Sequence, residues 1–124
     1  LVDEEVSIDA ARIITASTIG LFAYFAKILS ESIKELGIKN FKEEADEIVY
    51  HSIAGMLSLC KGKEIDSWDR LFKYLLVSSG KLGDPGTIEF ITDDLNNKNI
   101  SHIIINSIKK CHKIYLHNNQ IIEV

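Results

Sequence analysis

Four histidines, two cysteines and several neighbouring pairs of carboxylates are the side chains in this sequence with the chemistry for metal binding, thiol catalysis or acid–base work. A metal site needs ligands that converge on one point. His112 and His117 are the closest two histidines, and five positions on one helix turn them about 140° apart. Cys111 and His112, as helical neighbours, point about 100° apart, so a thiolate–imidazole pair would need a group from elsewhere. Cys60 and Cys111 are 51 residues apart with no CxxC spacing, and they are predicted to be buried thiols in a reducing cytoplasm.

The paired acids, Glu43-Glu44, Asp46-Glu47, Asp93-Asp94 and Asp66 with Asp69, each fall near an expected helix start, where the helix dipole favours negative charge. The stretch from Gly55 to Lys63 has six residues before Gly62-Lys63 and no following Ser or Thr, so it is not a phosphate-binding loop. Gly80-Lys-Leu-Gly-Asp-Pro-Gly86 offers backbone N–H groups, but Asp84 would repel the anion they might hold. Neither Arg12 nor Arg70 is followed within a few residues by the His of the helical nucleases that pair the two. The chain therefore reads as a non-enzyme with no cofactor and no metal.

Charge narrows the partners. The net charge is −4, arginine occurs only twice, and no basic stripe is interleaved with aromatics, which argues against nucleic acid. Residues 1–62 hold ten acids against six bases, and the lysines gather towards the C-terminus. The expected partner is another protein, of basic character.

These side chains are positioned by helices. Ile28, Leu29, Ile33 and Leu36 form one face of a first helix over 4–36, which Gly37 can cap. Gly20 and the β-branched Thr15, Thr18 and Ile19 predict a break near residue 20. Asn40 with Glu43 is a variant capping box opening a helix over 41–61, and Asp66 or Ser67 can cap another over 67–79. Asp84-Pro85 predicts a fourth start and a helix over 85–95. The period-two pattern of 87–92 keeps a strand open there, and a short edge is open at the C-terminus. Ile100, Ile103, Ile104, Ile108, Cys111 and Tyr115 mark a helix over 100–117.

At 124 residues with 46% apolar content, the sequence predicts one all-α domain over 1–124. Five or six helices would form a compact orthogonal or bundle-like array around Ala16, Gly20, Ala23 and Ala26. Residues 13–26 are uncharged but number 14, short of the roughly 20 of a membrane span, and read as a core helix with no membrane partner. No leader pattern opens the chain, and the location expected is cytoplasmic. Abundant isoleucine, asparagine and lysine over arginine point to a prokaryotic or viral source.

The function expected is protein binding: an acidic inhibitor or immunity-type protein that masks a basic active site, such as that of a nuclease toxin. Glu43, Glu44, Asp46 and Glu47 would supply the carboxylates and Tyr50 and His51 the rest of the surface. A helical subunit or adaptor, using Trp68, Tyr74 or the isoleucine-rich last helix, is the alternative, and exposed apolar patches would distinguish it. A small helical enzyme built around Tyr50, His51 and an acid from another helix is the third reading.

Overall fold

The computed structural model describes residues 4–80 and 86–118, and the secondary structure among them is entirely helical. The five helices are α1 (Glu4–Glu35), α2 (Phe41–Gly62), α3 (Trp68–Gly80), α4 (Thr87–Asn97) and α5 (Ile100–Asn118). The strand kept open at 87–92 is helix α4, whose backbone bonds close locally, with the Phe90 N–H reaching the Gly86 carbonyl at 3.0 Å. The possible edge at 120–124 and the Asp84-Pro85 start lie outside the described residues; α4 has Gly86 as its extended N-cap residue.

The expected break near residue 20 is absent, and α1 runs unbroken for 32 residues. One glycine costs a helix about 1 kcal/mol, too little to end it when the residues on both sides favour the same conformation. The Ser17 and Thr18 hydroxyls donate to the Ile14 carbonyl at 3.0 and 2.8 Å, which satisfies them without leaving the helix.

Helix ends are set by residue type. Gly37 follows α1 at φ 70°, the left-handed cap position, and Asn40 takes φ 76° where its carbonyl receives the Glu44 N–H at 3.3 Å. Ser67 caps α3 through its hydroxyl, which accepts the Arg70 N–H at 3.2 Å. Asn99, at φ 57°, turns the chain from α4 into α5.

Contacts along the chain fall into two units, Leu1–Lys61 and Gly62–Val124. In the first, the buried positions are Ser30 of α1 with Ala45 and Val49 of α2. In the second, α3 packs beside α4 and α4 beside α5, and Leu71 is buried. The small residues expected to seed a core do not: Ala16, Gly20 and Ala23 are exposed and Ala26 is half-buried. Leu29 and Leu57, on the faces expected to be covered, are also exposed, at 55% and 54%.

Two pairs of substitutions test this description. Leu71 is 3% exposed and Leu57 54%, so Leu71→Ala should cost about 2 to 5 kcal/mol in denaturant unfolding and Leu57→Ala about 1 kcal/mol or less. An added Cβ meets nothing within 4 Å at Gly20 or Gly37, so backbone conformation alone sets the sign. Gly20→Ala should stabilise by about 1 kcal/mol and Gly37→Ala should destabilise by about 1 to 2 kcal/mol, read as shifts in the denaturation midpoint.

Candidate functional site

The six residues singled out by sequence lie on two first turns and a middle turn of α2, and the helix sorts them by angle. Ala45 and Val49 are buried, and at about 100° per residue Glu43, Glu47 and Tyr50 lie on the opposite side. Glu43, Glu44, Glu47 and His51 are exposed, and Tyr50 is 70% exposed. The Tyr50 ring meets His51 edge-on with centroids 5.7 Å apart. These five share one broad outer surface, three carboxylates beside an aromatic pair.

Asp46 is exposed as well, but one of its oxygens is engaged. Its Oδ1 accepts a hydrogen bond from the hydroxyl of Ser30, which is buried on α1. A buried hydroxyl without a partner is costly, so Asp46 has a structural role in satisfying Ser30 and tying α2 to α1. Sequence reasoning missed this because the two residues are 16 positions apart and nothing local marks the pairing.

The remaining acid pairs divide in the same way. Asp66 holds Arg70 at 2.7 Å, Asp69 holds Lys73 at 2.8 Å and Asp94 holds Lys98 at 2.8 Å, each one helical turn away and exposed. Such pairs are worth little to stability. The hydrogen bond from Lys73 to Asp69, reinforced by the charge of that carboxylate, raises the Lys73 pKa. Lys73 therefore keeps its charge throughout the neutral range and gives up its proton only as pH climbs through that raised value.

A second surface, not foreseen from sequence, lies in the Gly62–Val124 unit. Phe72, Leu76 and Val77 of α3 face Glu89, Thr92, Asp93 and Asn96 of α4 across an open groove of about 320 Å³. One wall is apolar and the other carries two carboxylates. The apolar stripe of α3 was legible, but its period says only that one side is oily and not that part of that side stays uncovered. An apolar cleft of about 440 Å³ also lies between α1 and α2, lined by Leu29, Ile33, Leu36, Val49, Ile53 and Met56 among others.

No three His, Cys, Asp or Glu side chains come together to hold a metal among the described residues. His51 and His102 are exposed and His112 is half-buried, on separate helices or faces. Of the two thiols expected to be buried, Cys60 is half-buried and Cys111 is exposed. Neither a protein family, nor a curated protein, nor a solved structure matches the chain.

The Ser30–Asp46 link makes a specific forecast. Asp46→Ala should lower stability by about 1 to 3 kcal/mol, whereas Glu47→Ala, one position along, should change it by no more than about 0.5 kcal/mol. Thermal or denaturant unfolding of the two variants measures the difference, and equal effects would remove Asp46 from its structural role.

Proposed function

We propose that this chain is a protein-binding module without catalytic activity, a helical subunit or adaptor that takes a basic amphipathic helix of a partner into the groove between α3 and α4. The groove itself carries the reading. Its apolar wall offers Phe72, Leu76 and Val77, the last 69% exposed, as an anchoring strip, and Glu89 and Asp93 stand one helical turn apart on the other wall. Apolar anchors supply affinity in such a groove, while the carboxylates select for lysine or arginine and speed encounter. Exposed Trp68, one turn before Phe72, continues the apolar strip of α3.

The acidic face of α2 favours a second reading, an inhibitor or immunity-type protein that presents Glu43, Glu44 and Glu47 to a basic active site such as that of a nuclease toxin. Its support is the exposure of those three carboxylates beside Tyr50 and His51. Asp46, engaged with Ser30, takes no part in it.

Affinity capture from lysate of the source organism separates the two readings. The unaltered chain should retain a basic protein at about 50 mM salt and lose most of it at a few hundred millimolar. Glu89→Lys with Asp93→Lys should abolish capture with the melting temperature nearly unchanged, and Val77→Asp should weaken it. Reversal of Glu43, Glu44 and Glu47 to Lys should leave it intact. The opposite pattern transfers the function to α2, and capture insensitive to both sets sinks both.

A further inference from the structure

We propose that α1 is a membrane-inserted helix, with residues 10–29 crossing the hydrocarbon core of a bilayer and the end that follows Lys27 emerging to carry α2. This inference is independent of the groove between α3 and α4.

The helix from Ala10 to Glu35 is long and apolar enough to cross a membrane, and only 6% of its most apolar stretch is buried by the rest of the chain. Residues 10–29 rise about 30 Å, the thickness of the hydrocarbon core. Their only charges are Arg12 and Lys27, each two residues inside an end, where long cationic side chains reach out to the headgroups. The uncharged run of 14 residues is thus lengthened to a span by its two flanking cations.

The occupant is identified by the angular spread of the apolar side chains. Ile14, Ile19, Phe22 and Tyr24 are all exposed, Ile19 at 64%. At about 100° per residue, Phe22 lies 80°, Ile19 140° and Tyr24 280° round the axis from Ile14. A second protein chain would cover a stripe of this surface and leave the rest in water, whereas lipid tails cover every side at once. The remaining arc, between Ile19 and Ile13, holds the small apolar Ala16, Gly20 and Ala23 at mid-span, with Arg12 and Lys27 on the same side at its two ends.

Lipid also demands that polar groups be satisfied inside the helix. The Ser17 and Thr18 hydroxyls, in the middle of the span, do this by donating to the Ile14 carbonyl. Towards the Lys27 end, the Tyr24 and Phe25 rings meet at a tilt with centroids 6.1 Å apart, about 6 to 7 Å inside the end of the span. Just beyond, Lys27 pairs with Glu31 at 3.9 Å, and Ser30 joins α1 to Asp46 of α2. Polar contacts between α1 and the following helix begin where the span ends.

The test is flotation of the full chain with phosphatidylcholine–phosphatidylglycerol vesicles, followed by extraction at alkaline pH in carbonate. The chain should float with the vesicles and stay with them through carbonate. Ile19→Lys with Phe22→Lys places two ammonium groups mid-span and should cut the floating fraction at least about tenfold, since each is strongly disfavoured at the bilayer centre. Ile19→Leu with Phe22→Leu should float like the unaltered chain, with helical circular dichroism the same for all three. A chain that remains in the aqueous layer as an oligomer would assign α1 to a second copy, and one stripped by carbonate would place it on the membrane surface; either overturns the proposal.

Discussion

Backbone hydrogen bonding within single helices is the interaction on which the rest of this structure depends. Each of the five helices closes its own N–H and C=O groups, and the ends are finished by Gly37, Asn40, Ser67, Gly86 and Asn99. Full burial is sparse: the buried apolar side chains among the described residues are Ala45, Val49 and Leu71. Isolated helices draw little stability from propensity alone, and most gain it by covering an apolar face. A 32-residue helix that the chain itself scarcely covers therefore implies a medium or a partner that does.

The same economy explains how the acidic residues are divided. Where a carboxylate meets a buried donor, as Asp46 meets Ser30, it becomes part of the fold. Where it faces a cation one turn away on its own helix, as in Asp69 with Lys73, it mainly neutralises the surface. Carboxylates beside uncovered apolar side chains, Glu89 and Asp93 along the α3–α4 groove or Glu47 next to Tyr50, add charge to an otherwise apolar surface. Apart from Glu89, sequence shows these only as acids near helix starts, and their roles diverge through their neighbours, on the same helix for Asp69 and on another helix for Asp46.

If α1 enters a bilayer and the groove holds a helix, the exposed apolar surface has two separate destinations in two separate units. The charge pattern agrees with that division. Arg12 and Lys27 bracket the lipid-facing stretch and leave its centre uncharged, whereas carboxylates line the groove. A membrane-attached module of this kind would gather its partner at a surface, where confinement adds to a modest intrinsic affinity.

Apolar periodicity and cap residues by themselves determined the helical class, a count of five or six helices and the turns at Gly37 and Ser67, because each of these is decided locally by i→i+4 bonding and φ preference. The same local view misjudged Gly20, whose modest cost is outweighed by the helix on both sides. Only the tertiary structure decided which oily faces are covered. Leu71 is buried while Leu29, Leu57 and Cys111 are not, and one oxygen of Asp46 is engaged by a serine on α1. A periodic stripe records that a side of a helix is apolar; what lies against that side is a property of residues distant in sequence, and no pattern within the helix carries it.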